Sequence, residues 1–164
     1  MSEITRKVCM LGDFGVGKTS LVARFVNQTF SERYITTVGV KIDTKVVTLE
    51  EQSIKLVLWD VAGKNALDMM RVSYLQGAAG LILVADGTRE PTVRAAMNLY
   101  TQAQKERPEI KAVMLINKFD LIDQWEVDAG AIAAIRNAMP AFESSARSGE
   151  GVEMGFAALA KSLR

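Results

Sequence analysis

Eight residues near the amino terminus restrict this chain more than any others. Gly12-Asp-Phe-Gly-Val-Gly-Lys-Thr19 matches the pattern G-x-x-x-x-G-K-[ST]. It follows the apolar run Lys7–Leu11, which reads as a buried strand. It precedes a segment from Lys18 to about Gln28 in which Leu21, Val22, Phe25 and Val26 share one helical face. Strand, glycine loop and helix in that order make an anion cradle. Glycines let successive backbone N–H groups turn inward, and the helix adds its positive end, so phosphates are bound with few side chains. Gly15, Val16, Gly17 and Lys18 form that cradle, and Ser20 in the first helical turn joins the nucleotide-binding set. The Lys18 ammonium reaches β- and γ-phosphates, and the Thr19 hydroxyl is placed to ligate Mg²⁺. The same letters also occur in chance glycine-rich turns, and the flanking strand and helix set this copy apart.

The rest of the pattern extends the same architecture. Residues 40–49 and 53–60 are rich in Val, Ile and Leu and flank the polar Glu50–Gln52, as two strands of a hairpin do, with Ile54, Leu56 and Leu58 on one face. Then strands at 79–86, 110–117 and 140–144 alternate with helices at 91–107, 128–139 and 151–163. Alternation of this kind predicts an α/β fold of the P-loop NTPase type. Its sheet has six strands, mostly parallel with one antiparallel edge strand, and carries helices on both faces. In the last helix Val152, Phe156, Leu159, Ala160 and Leu163 form one apolar stripe, read as core. With 164 residues, 49% hydrophobic, and no internal repeat or proline-rich linker, one domain over 1–164 is expected. A ligand then belongs at the carboxyl ends of the strands.

Composition narrows the function. Twenty Lys and Arg against 19 acids give a net charge of +1, with no basic run of the kind that binds nucleic acid. Apolar stretches such as Gly80–Ala85 and Ala112–Ile116 fall far short of the roughly 20 residues that span a bilayer. The opening MSEITRK resembles no secretory signal. Cys9 is the only cysteine and there is no histidine, which excludes an internal disulfide and imidazole chemistry and fits a reducing, cytoplasmic setting. The final LAKSLR has no cysteine to carry a lipid, so no membrane anchor is evident.

Asn117-Lys118-Phe119-Asp120 closes the strand at 110–117, about a hundred residues after the glycine loop. Asp120 offers two acceptor oxygens that match the paired N–H groups on the edge of guanine, a pair adenine lacks. Asparagine, lysine and aspartate at a strand end are also ordinary turn residues. Position at a parallel strand's end, beside the phosphate loop, favours the base-binding reading.

With these residues in view, the sequence resembles the Ras-like small GTPases, and most of all the Rab-like branch. The resemblance covers nearly the whole chain, in five ordered motifs: Gly12–Thr19, Tyr34-Ile-Thr-Thr-Val-Gly-Val40, Trp59-Asp-Val-Ala-Gly63, Asn117–Asp120 and Ser145-Ala-Arg147. It implies a switch that binds GTP and GDP with Mg²⁺. Phe30 would sit against the guanine, Lys118 along the nucleotide, and the Ala146 N–H would meet the guanine carbonyl. Tyr34, Asn117, Ser145 and Arg147 complete the nucleotide-binding set; Arg147 stands where the family usually has lysine and reads equally as exposed surface. Thr37 would complete the Mg²⁺ shell with Thr19 and contact the γ-phosphate, Asp60 would hold the Mg²⁺ through water, and the Gly63 N–H would meet the γ-phosphate. Loss of that phosphate would release the loops at Thr37 and Gly63, to be read by effector, exchange and activating proteins. The compact length and lack of a lipid site resemble a prokaryotic form of the branch.

Two departures bear on catalysis. Lys64 follows Ala62-Gly63 where the family has the glutamine that orients the attacking water. An ammonium has no acceptor with which to align water, so slow hydrolysis is expected, on the order of 10⁻⁴ s⁻¹ or lower. A solvent-facing lysine without a role is the other reading. With Thr37 and Gly63, Lys64 forms the expected catalytic set. Phe14 brings a phenyl ring to a loop position where the family prefers a small residue, and it is expected there to obstruct an arginine supplied by a partner, which implies a different activating geometry or rare turnover. A slow GTPase switch is the favoured expectation, with a nucleotide-gated binding module of negligible turnover as the alternative. A P-loop kinase would need a lid and an acceptor pocket that the chain does not display.

Overall fold

A computed structural model describes residues 2–26, 33–35, 40–61 and 72–164; of 33–35, 61, 72 and 73 it describes the backbone alone. Strand β1 (Ser2–Gly12) lies mid-sheet. Its apolar run is continuous because both faces are covered: Val8 and Met10 enter one core, Cys9 and Leu11 the other, and all four are fully buried. The Cys9 thiol donates to the Tyr74 carbonyl at 3.3 Å, and burial pushes its pKa up to about 12, which leaves it a poor nucleophile.

Among the described residues the sheet has the order β2-β3-β4-β1-β5-β6-β7. Here β2 is Arg33–Ile35, β3 Val40–Thr48, β4 Gln52–Val61, β5 Ala78–Asp86, β6 Lys111–Asn117 and β7 Ala141–Glu143. Strand β3 runs antiparallel to β4, as the hairpin pattern requires, and β4, β1, β5, β6 and β7 run parallel. These are the six strands expected. The three-residue β2 extends the edge beyond β3. It is too short to carry an alternating pattern, which is why sequence periodicity passes over it.

Helices α1 (Lys18–Phe25) and α5 (Val152–Ser162) cover one face. The Phe25 and Phe156 rings stack there with centroids 3.9 Å apart, over Ile54, Leu56 and Leu58 of β4. The stripe read as core is core, from Val152 at 1% exposed to Leu163 at 6%. Gly155 lets α5 approach β6: a Cβ there would come within 2.3 Å of Leu115 Cδ2. The other face carries the short α2 (Val72–Leu75), α3 (Pro91–Glu106) and α4 (Ala129–Arg136), with Asp128 accepting from the Ala131 N–H at 2.8 Å as the cap of α4. A 3₁₀ helix follows β6 at Phe119–Gln124. Among the described residues no helix is long and apolar enough to cross a membrane.

Candidate functional site

Parallel β1, β4, β5 and β6 bring Gly12, Asp60, Asp86 and Asn117 to one end of the sheet, with Met10 opposite Asp60 and Asp86 opposite Asn117 in register. Between β1 and α1 the loop turns through Gly15 and Gly17, at φ +78° and +100°, where any side chain is strained. At Gly17 space forbids one as well, since a Cβ would lie 2.4 Å from Asn117 Nδ2.

Three consecutive carbonyls of this loop are held by side chains from the β5 and β6 ends. Asn117 Nδ2 donates to the Val16 carbonyl at 2.9 Å, Lys118 Nζ to that of Gly15 at 2.9 Å, and Arg89 Nη2 to that of Phe14 at 3.0 Å. In a trans peptide the C=O and the following N–H point opposite ways. Carbonyls held outward therefore turn the N–H groups of Gly15, Val16 and Gly17 inward, and among the described residues none of these donates to a protein group. The arrangement is an anion cradle at the mouth of a helix. Lys18, in the first turn of α1, is buried.

Asp86 anchors two of those three side chains. Its Oδ2 accepts from Lys118 Nζ at 2.9 Å and from Arg89 Nε at 3.0 Å. Its Oδ1 accepts from the Thr88 N–H at 2.9 Å and the Thr88 hydroxyl at 2.6 Å. Burial opposes its charge, yet the Thr88, Lys118 and Arg89 hydrogen bonds outweigh that and hold the carboxyl down at about 2. Lys118 pays with its backbone: φ +72° makes it the only left-handed non-glycine residue among those described.

The base motif is built beside this. Ser145 donates its hydroxyl to Asp120 Oδ1 at 2.7 Å and accepts from the Ser148 N–H at 3.0 Å, which fixes the carboxylate. Asn117 Oδ1 accepts from the Ala146 N–H at 3.2 Å. A cleft of about 510 Å³ opens here, lined by Gly17, Ser20, Lys118, Asp120, Ala146 and Arg147 among others. Two clefts of similar size, about 550 and 600 Å³, lie at the amino ends of β5 and β6 around Pro108–Lys111 and hold none of the motif residues.

On the β1–β4 side, the Thr19 hydroxyl donates to Asp60 Oδ2 at 2.6 Å. Asp60 is buried, and its Oδ1 has no hydrogen-bond partner among the described residues. Burial pushes its carboxyl above the ordinary range, against the Thr19 hydrogen bond and the charges of Lys18 and Lys41. A hydroxyl and a carboxylate with an orphaned oxygen are hard donors, and they fit a Mg²⁺ ion.

The residues of the phosphate and base motifs thus lie together at one end of the sheet. Tyr34 lies in β2 opposite Lys41, placed through its backbone. Phe30, Thr37, Gly63 and Lys64 lie outside the described residues. Sequence reasoning passed over Asp86, Thr88 and Arg89. Their one signal is that the strand ending in Asp86 neighbours the strand ending in Asn117.

Residues 7–164 match the model of the Ras family. "Ras-related protein Rab-1" of Theileria annulata is 33% identical over 162 residues, 96% of this chain and 74% of its own length. "Ras-related protein Rab-13" of Canis lupus familiaris is 33% identical over 161 residues, 96% and 79%. "Ras-related protein SEC4" of Saccharomyces cerevisiae is 34% identical over 160 residues, 96% and 74%. With residues 7–164 matching the family model and relatives of this similarity, the chain belongs to the Ras family, as a Rab-like small GTPase.

Proposed function

We propose that this chain is a slow GTP-hydrolysing switch, a single guanine-nucleotide-binding domain over 1–164 acting in the cytoplasm. The observation that carries it is the buried hydrogen bond from Asn117 Nδ2 to the Val16 carbonyl, 2.9 Å long. It fastens the base motif to the phosphate loop, so base and phosphates are recognised by one rigid unit. In this reading Asp120, held by Ser145, accepts from the guanine edge, with Phe30 and Lys118 against the nucleotide and Ala146 and Arg147 closing the pocket. The N–H groups of Gly15, Val16 and Gly17 and the ammonium of Lys18 bind the phosphates, and Ser20 and Tyr34 complete the lining.

Thr19, Asp60 and Thr37 are the residues that would hold Mg²⁺. When bound, the ion neutralises charge on the β- and γ-phosphates. Thr37 and Gly63 read the γ-phosphate, and the segments around them form the face for effector, exchange and activating proteins.

Hydrolysis is slow in this reading because Lys64 has no acceptor to align water. Phe14 supports the second reading, a binding module with negligible turnover. Its side chain is 65% exposed on the loop, and in this reading it stands in the way of an arginine brought by a partner. Single-turnover hydrolysis with Mg²⁺, on protein loaded with GTP, tests both. Wild type is expected at about 10⁻⁴ s⁻¹ or below, with Lys64→Gln at least several-fold faster. A fast wild type, or a slower glutamine variant, would make Lys64 catalytic and refute this account of the loop.

A further inference from the structure

Of the three side chains that hold the phosphate-loop carbonyls, Asn117 and Lys118 belong to the base motif, and Arg89 belongs to no motif. It sits in the turn between β5 and α3, where the Arg89 N–H donates to the Asp86 carbonyl at 2.9 Å and Thr92 Oγ donates to the Arg89 carbonyl at 2.7 Å. The turn therefore sets its backbone before its side chain reaches out. The guanidinium then makes two contacts that need its fork: Nε to Asp86 Oδ2 at 3.0 Å and Nη2 to the Phe14 carbonyl at 3.0 Å. The same Nη2 lies 3.4 Å from where a Cβ of Gly15 would be. The side chain is 47% exposed, so it is not needed to fill the core.

We propose that Arg89 is a positioning residue for the nucleotide's outer phosphates: it bridges Asp86 to the Phe14 carbonyl and so turns the Gly15 N–H into the loop. Asn117, Lys118 and Arg89 then fix three successive peptides, Val16–Gly17, Gly15–Val16 and Phe14–Gly15. Without Arg89 the Phe14–Gly15 peptide is the one member of the row with no side-chain anchor among the described residues. It is also the peptide next to the exposed Phe14 ring, which is not packed into the core. A free peptide there costs entropy each time its N–H must be aimed at a phosphate. Arg89 removes that cost in advance.

The effect is specific to the phosphates beyond the first, which distinguishes it from general loosening of the fold. Release of fluorescent GDP and GMP is measured on wild type, Arg89→Ala and Arg89→Lys. Arg89→Ala is expected to release GDP about tenfold faster, the size of one charge-assisted hydrogen bond lost at a half-exposed site, and to release GMP at the wild-type rate. Arg89→Lys keeps the charge without the fork, and its GDP release is expected nearer to that of alanine than to wild type. GDP release that is unchanged in Arg89→Ala, or accelerated no more than GMP release, overturns the proposal. Full recovery by lysine overturns the bridging role.

Discussion

The two halves of the site are finished to different degrees. On the β5–β6 side the polar groups are held by the chain itself: Asp86 accepts four hydrogen bonds, Asp120 Oδ1 accepts from Ser145, and Asn117 spans from Val16 to Ala146. On the β1–β4 side Asp60 has one donor, the Thr19 hydroxyl, and a buried oxygen without a partner among the described residues. Charge follows the same division, since the Asp86 carboxyl is held at about 2 while that of Asp60 is pushed upward by burial. A polar network satisfied by the chain itself is rigid before any ligand arrives. An orphaned buried carboxylate oxygen is a cost that a bound cation offsets. In the proposed function the first half recognises base and phosphate by preformed geometry, and the second is completed by its ligand.

The sharpest way to break this contrast is at Asp60. Asp60→Asn keeps the shape and removes the charge. It is expected to cost the Mg²⁺-free protein less than about 1 kcal/mol, because it also removes the burial penalty of the carboxylate. Slowing of GDP release by Mg²⁺ is expected to fall at least about a hundredfold relative to wild type. An unchanged Mg²⁺ response would mean that the orphaned oxygen serves something else.

A smaller effect separates the halves by sign. Asp86 has a folded pKa of about 2, below its ordinary 3.8. Between those values the unfolded chain binds more protons, so its contribution is complete above about pH 4 and is lost as pH falls toward 2. About 2 kcal/mol is expected, discounted because Arg89 and Lys118 are partly exposed. For Asp60, raised above 3.8, the folded state binds more protons, so its contribution becomes unfavourable as pH rises through the raised value. Urea denaturation of metal-free protein across the acid range is expected to lose the first dependence in Asp86→Asn and the second in Asp60→Asn. The same slope in both variants would erase the distinction.

The legible parts of this molecule are those whose chemistry is local. Gly12–Thr19 states its own backbone geometry, and the runs in β1, β5 and β6 state their burial on two faces. The stripe in α5 needed only helical spacing. Asp86 was illegible for the opposite reason: Asp-Gly-Thr-Arg after a strand is an ordinary turn, and its meaning lies in Arg89 reaching Phe14, 75 residues away. Likewise α2 is four residues long, too short for a period, and its Tyr74 hydroxyl donates to the Met10 and Trp59 carbonyls through tertiary packing alone. Apart from Ile4, Ser2–Arg6 of β1 are polar, and all five are exposed or half-exposed, so pairing with β4 is what makes them a strand. Asp120 and Ser145 were each legible singly, and their 2.7 Å hydrogen bond was not.

In the proposed function guanine is read through Asp120, in the 3₁₀ helix that follows β6. Affinity for GDP and for xanthosine diphosphate, measured on wild type and Asp120→Asn, tests it most directly. Wild type is expected to favour GDP and the variant to reverse that preference, because an amide presents a donor where the carboxylate presented an acceptor. Undiminished GDP affinity in Asp120→Asn would contradict it.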